Sequence, residues 1–303
     1  EVNAKALDFM ERAAKDGKPF FLWWNSTRMH IFTHLKAESD GKTGLGIYAD
    51  GMVEHDGHVG QVLAKLKELG LDENTIIMYS TDNGAETFTW PDGGTTMFRG
   101  EKNTNWEGGY RVPTMIKWPG VIKPGTVIND IGAHEDMLLT FVNAAGGKDV
   151  AETLKKGTTI GGRPYKVHLD GFDQTAFFTG QTDQSARDFV FYYDEATLTA
   201  IRYNQFKVTF SAKMDGHWDD PLVNLGRPVV TNLLMDPFER QWGDLNRQFA
   251  ERKAWVLTPM VGVVGKHFES FKAFPIRQVG LSAQFGKTIE GIQTQLLKMQ
   301  QAN

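Results

Sequence analysis

The chain has no cysteine among its 303 residues. That excludes disulfides and thiolate-ligated metals, and it leaves the redox compartment unreadable from the sequence. A basic surplus is also missing: Lys and Arg total 33 against 37 Asp and Glu, for a net charge of -4. A nucleic-acid binder usually shows the opposite balance. No apolar run approaches the ~20 residues that a bilayer-spanning helix needs. The opening Glu1-Val2-Asn3-Ala4-Lys5 lacks the charged-then-apolar character of a signal peptide, and a start on Glu1 rather than methionine reads as a processed or cloned fragment. What is there, 41% hydrophobic and 23% charged residues, is an ordinary soluble globular make-up with room for a large core and one or two domains.

Periodicity divides the first half into alternating elements. Ala4, Leu7, Met10 and Ala14 recur at helical spacing over residues 3–16, and Gly17 sits where a helix stop is expected. Phe20-Phe21-Leu22-Trp23-Trp24 reads as a buried strand, and the glycosylation-like Asn25-Ser26-Thr27 behind it as a chance match. A second helix is expected over residues 47–69, ended by Gly70, and a strand over Thr75–Thr81. This order suggests an α/β unit with a parallel sheet. Residues 84–110 form a long Gly-, Thr- and Asn-rich loop, of the kind that is usually functional or disordered. A strand over 112–118 and a helix over 134–145 follow. From about residue 148 the texture changes. Phe189–Tyr193, Thr199–Tyr203 and Phe206–Phe210 are short aromatic and β-branched runs that suggest an antiparallel meander, and residues 241–256 and 286–300 look helical.

Several residues have chemistry to offer. The run Thr75–Thr81 ends in Asp82-Asn83-Gly84. An acid and an amide at the end of a buried strand supply the oxygen donors a hard divalent cation prefers, although the same tripeptide is also a common turn. Lys102 follows in a glycine-rich loop, where a flexible ammonium suits a tetrahedral anion; taken alone it is an ordinary solvated lysine. His30 and His34 lie beyond the first apolar run, and His55 and His58 are three apart on the second helix, a weak metal pattern with no third ligand in view. Asp219-Asp220-Pro221 reads as a turn, and Trp106 and Tyr110 as either a substrate mouth or loop packing.

The order Asp82-Asn83-Gly84, Gly100-Glu101-Lys102, then Trp106-Glu107-Gly108-Gly109-Tyr110-Arg111-Val112-Pro113 closely resembles the sulfatase (arylsulfatase) family, in the alkaline-phosphatase-like superfamily. Val112–Gly120, His134–Thr140, Asp170-Gly171-Phe172 and Leu234–Arg240 extend the likeness over most of the chain, as do Trp255–Pro259 and Phe274-Pro275-Ile276-Arg277. The resemblance implies a mixed, mainly parallel sheet flanked by helices over residues 1–165, followed by a smaller antiparallel C-terminal subdomain with helices over 166–303. It implies hydrolysis of small-molecule sulfate esters, with Asp82 and Asn83 as ligands of one divalent metal, Ca²⁺ or else Mg²⁺. Lys102 would touch the sulfate, and His30, a better match than His34, would sit on the substrate side and could assist the leaving oxygen as an acid. Exported family members suggest a periplasmic or secreted location.

The same resemblance exposes a gap. The family's nucleophile, formylglycine made from Cys or Ser, has no counterpart: no Cys exists, and no serine has the required Pro or Ala two residues on and Arg four residues on. The chain reads as a C-terminal portion, inactive alone, that self-associates or pairs with a missing N-terminal part. The alternatives are a phosphate or phosphonate ester hydrolase of the same superfamily, and a non-catalytic truncated relative that binds an anion or a partner.

Overall fold

The computed structural model describes residues 1–242 and 244–275. Its residues fall into two compact units, one of Glu1–Asn129 with Lys213–Pro221 and one of Asp130–Ala212 with Leu222–Asn303. Residues 130–165, expected with the first part, group with the second unit.

In the first unit, helix α1 (Val2–Lys15) buries Ala6 and Met10 and packs on helix α2 (Ile47–Glu68). Gly17 follows α1 in the left-handed region, at φ 61°. Inside the first turn of α2, Asp50 is buried and accepts hydrogen bonds from the Gly41 and Thr43 backbone N–H groups, each at 2.7 Å, which ties down the loop before the helix. Gly70, at φ 67°, closes the other end. A 3₁₀ turn (Asp72–Asn74) leads into strand β1 (Ile77–Ser80). After the one-turn helix α3 (Glu107–Tyr110), strand β2 (Thr114–Lys117) pairs antiparallel with β1, Ile77 opposite Lys117 and Ser80 opposite Thr114. The parallel partners expected for β1 are not among the described ladders.

The run Phe20–Trp24 also departs from expectation. It forms no strand and pairs with none among the described residues, and Phe21 and Trp23 stay 69% and 79% exposed. An apolar run becomes a buried strand only when neighbours take its backbone hydrogen bonds and cover its faces.

The second unit opens with helix α4 (His134–Ala144), helix α5 (Val150–Lys156), a hairpin of strands β3 (Thr158–Ile160) and β4 (Arg163–Tyr165), and the short helix α6 (Thr175–Phe178). A meander of β5 (Phe189–Asp194), β6 (Thr197–Tyr203), β7 (Phe206–Lys213) and β8 (Leu222–Asn232) follows, neighbours in that order. The aromatic and β-branched runs account for the first three strands; β8 was not anticipated. Asn204, at φ 49°, makes the tight β6–β7 turn. Helix α7 (Asp244–Arg252), a 3₁₀ turn (Ala254–Val256) and the unanticipated helix α8 (Leu257–Ala273) complete the unit. Its core gathers Ile201, Phe206, Val208 and Val230 from the sheet with Ala250, Val256 and Met260 from the helices. His267 on α8 stacks on Phe191 at 4.1 Å, and its Nε2 lies 2.6 Å from the Tyr193 hydroxyl. The helix expected over 286–300, and Ile276 and Arg277 of the family-like tail, lie outside the described residues. Among the described residues no helix is long and apolar enough to cross a membrane.

Two buried ion pairs lie inside this unit. Asp136, fully buried, receives Arg187 through Nε at 2.9 Å and Nη2 at 2.6 Å, together with the backbone N–H groups of Ala133 and Phe172. Lys207 and Glu239, likewise buried, pair at 2.8 Å. Removing one member of such a pair strands the other's charge away from water. Arg187→Ala is therefore expected to cost about 3–5 kcal/mol in urea unfolding. A loss below about 1 kcal/mol, the range of exposed pairs, would show that Asp136 is not held by this arginine.

Candidate active site

The segment after β1 is shaped by close backbone packing. Gly84 donates its N–H to the Gly109 carbonyl at 3.0 Å, and a Cβ at Gly84 would lie only 1.7 Å from the Gly108 carbonyl oxygen. Nothing but glycine fits there. A Cβ at Gly108 would in turn meet the Gly100 carbonyl oxygen at 2.4 Å. The Gly-Gly pair of α3 thus lets the Asp82 turn and the lysine loop lie against each other. Lys102 completes the seam by donating its backbone N–H to the Ala85 carbonyl at 2.8 Å.

On this seam the candidate groups take distinct positions. Asp82 is exposed, and among the described residues its carboxylate has only a long 3.5 Å contact from the Thr81 hydroxyl. Asn83 donates its Nδ2 to the Gly84 carbonyl at 2.9 Å, which fixes the amide and leaves its oxygen as the remaining polar atom. Lys102 is largely buried; its Nζ lies 3.3 Å from Glu86 Oε2 and 5.3 Å from the centre of the Trp218 ring.

Trp218 and Glu86 were not anticipated. Trp218 belongs to the link between β7 and β8, and its backbone N–H reaches Glu101 at 2.9 Å across 117 residues of sequence. Glu101 is buried and also accepts from the backbone N–H groups of Thr87 at 2.6 Å and Phe88 at 3.2 Å, and from the Thr87 hydroxyl. Burial by itself would raise the Glu101 carboxyl, but the hydrogen bonds from Thr87, Trp218 and Phe88 outweigh it and hold it below the ordinary range. Trp106 is buried, donates Nε1 to the Lys213 carbonyl at 2.6 Å and carries the Arg99 guanidinium 3.7 Å above its ring. It packs the loop and does not line a mouth. The only local hint of this link was the turn expected at Asp219-Asp220-Pro221, where Asp220 accepts from the His217 N–H at 2.9 Å.

The structure does not join His30 directly to this group. His30 is exposed in a turn, its N–H donating to Thr27 and its Nδ1 3.2 Å from the Ile31 carbonyl; no hydrogen bond connects it to Asp82, Asn83 or Lys102 among the described residues. Its loop is anchored by Arg28, which donates to Glu54 at 2.6 Å and to the His34 carbonyl at 2.8 Å. His34 is exposed and contributes that carbonyl.

His55 is a satisfied packing residue. Its Nδ1 faces the Ser26 hydroxyl at 3.1 Å, its Nε2 faces the Tyr79 hydroxyl at 3.3 Å, and its ring stacks on Trp24. Burial pushes both His55 and His58 down, toward the neutral form. Among the described residues no three His, Asp or Glu side chains are grouped to hold a metal. The oxygen donors of Asp82 and Asn83 have the right chemistry for a hard cation, but Ca²⁺ takes about 6–8 oxygens, so they can form only part of its shell.

Comparison with known proteins places this geometry in context. Residues 1–147 match the profile of the family described as Sulfatase. The chain is 32% identical over 210 residues to N-acetylgalactosamine-6-sulfatase of Canis lupus familiaris, covering 68% of this chain and 37% of that protein. It is 31% identical over 252 residues to arylsulfatase A of Homo sapiens, covering 78% and 46%. Its fold matches the PsFucS1 sulfatase from Pseudoalteromonas sp. with a TM-score of 0.80 at 30% identity, over 92% of this chain and 54% of that one. Ps i-CgsB, solved in complex with k-i-k-neocarrahexaose, shares the fold with a TM-score of 0.72 at 21% identity, over 97% and 58%. The chain thus spans roughly half the length, or less, of these proteins.

The Arg28–Glu54 anchor has a pH signature. Burial alone would raise Glu54, but hydrogen bonds from Ser39, Arg28 and the Lys36 backbone, with the Arg28 charge, bring it down to about 2. A carboxylate depressed by folding stabilises above its unfolded value and loses that contribution as pH falls through its folded value. Glu54→Gln is therefore expected to be less stable than the parent at neutral pH. The gap should start to close near pH ~4.3 and vanish toward pH ~2, in urea unfolding across that range. A gap that does not change with pH would show that the Glu54 charge does not hold this loop.

Proposed function

Because this chain belongs to the sulfatase family, we propose that it forms the anion-binding part of a centre that hydrolyses sulfate esters. The observation that carries the reading is the backbone seam that brings Lys102 against the Asp82-Asn83 turn, through Lys102 N–H to Ala85 and Gly84 N–H to Gly109. Lys102 neutralises a non-bridging oxygen of the sulfuryl group, and Glu86, its ion-pair partner, keeps the ammonium oriented until the anion shares the contact. Asp82 and Asn83 hold one divalent cation, Ca²⁺ or Mg²⁺, together with ligands from elsewhere; that ion would supply Lewis-acid stabilisation of negative charge on the same oxygens. His30 donates a proton to the departing alkoxide if its exposed turn closes over the bound ester.

The nucleophile comes from other polypeptide, since the chain has no cysteine and no serine in the family's setting. The unpaired run Phe20–Trp24, with Phe21 and Trp23 exposed, supports a companion segment or second copy docking on the first unit.

The purified chain is expected to bind inorganic sulfate in titration calorimetry, with affinity reduced at least about tenfold in Lys102→Ala, the scale of one lost charge-assisted contact. It is expected not to turn over 4-nitrophenyl sulfate. Turnover that Lys102→Ala abolishes would overturn the claim that the nucleophile lies elsewhere, and sulfate binding indifferent to Lys102→Ala would overturn the role of the lysine. For the metal, Asp82→Ala is expected to weaken calcium binding about tenfold or more in the same instrument, and unchanged affinity would remove Asp82 from the ligand set.

A further inference from the structure

Beside Lys102 stands an aromatic surface with a built mount. The Trp218 backbone is gripped at both ends: its N–H donates to the buried Glu101 carboxylate at 2.9 Å, and its carbonyl accepts from the Lys213 ammonium at 2.7 Å and from Asn103 Nδ2 at 3.2 Å. The loop is therefore held without help from the indole. The ring itself is only partly buried and rests against Phe88, centroid to centroid 5.2 Å, and Phe88 is 52% exposed. Among the described residues nothing accepts a hydrogen bond from the Trp218 indole N–H. A rigid aromatic face with an available N–H, 5.3 Å from an ammonium, is what a flat ring bearing an anionic group would find complementary.

We propose that Trp218, backed by Phe88, determines specificity by stacking on the ring that carries the sulfate, so that the site favours ring-borne sulfate esters over open-chain ones. The inference rests on the reading of Lys102 as the sulfate contact. A sulfate ester joins its anionic head to its ring through one bridging oxygen, and a lysine with an aromatic face beside it addresses both ends at once. A sugar ring offers its C–H face to the indole and a hydroxyl to the indole N–H; an aryl ring offers only its π-face.

The test measures binding of galactose 6-sulfate, phenyl sulfate, ethyl sulfate and inorganic sulfate to the full chain. The parent chain is expected to bind the ring-bearing esters about tenfold more tightly than ethyl sulfate. Trp218→Ala should erase that preference, bringing the ring-bearing esters to the affinity that the same variant shows for ethyl sulfate, and Trp218→Phe should restore stacking on phenyl sulfate. Preference for the sugar over the aryl ester, lost in Trp218→Phe, would identify a carbohydrate ring; the reverse order would identify an aryl ring. Equal binding of ring and open-chain esters, or a preference that survives Trp218→Ala, would overturn the inference while leaving the lysine reading intact. Failure of every sulfated probe to bind, or binding indifferent to Lys102→Ala, would sink the lysine reading and this inference with it.

Discussion

The Glu101 carboxylate binds pieces of chain that no local preference would bring together. It takes the Thr87 and Phe88 backbone from one side and the Trp218 backbone from the other, while Lys102, the next residue, points past it toward Glu86 and Trp218. A buried carboxylate is costly unless its oxygens are satisfied. Here backbone N–H groups satisfy them, and the penalty of losing those donors keeps the loops in place. The position of Lys102 follows from that constraint, since its side chain starts one bond beyond the carboxylate's own backbone.

The glycines play the complementary part. Where Glu101 pulls loops together through hydrogen bonds, Gly84 and Gly108 remove the atoms that would hold them apart. These motif glycines thus work by permitting contact. The second unit uses the same logic with full charges. Asp136 and Arg187, and Lys207 and Glu239, are buried pairs whose partners each prevent the other from being stranded.

Much of this was legible from residue patterns. Helices α1 and α2, with Gly17 and Gly70 as their stops, follow from periodicity and from glycine's freedom at positive φ. The β5–β7 runs follow from β-branched and aromatic content bounded by turns. The run Phe20–Trp24 was misjudged because hydrophobicity reports what a segment could bury and not whether anything covers it. Strand β8, with Gly226 and Pro228 inside it, carries turn-like residues in a paired strand, and helix α8 contains Gly262 and Gly265. Both were invisible to propensity because tertiary packing overrides it.

By itself, the sequence determined that an acid, an amide and a lysine lie near one another along the chain, in the order the sulfatase family shares, and that no cysteine is present to serve as a nucleophile. Those are properties of composition and spacing. Only the tertiary structure decided that Lys102 sits between Glu86 and Trp218, that Trp106 is buried packing, that His55 is a satisfied, partly buried packing histidine, and that His30 stands apart in an exposed turn. The reason is physical. The placements of Lys102, Trp106 and His55 depend on a hydrogen bond, ion pair or ring contact with a residue distant in sequence, and local preference carries no information about which distant backbone donor a buried carboxylate will find.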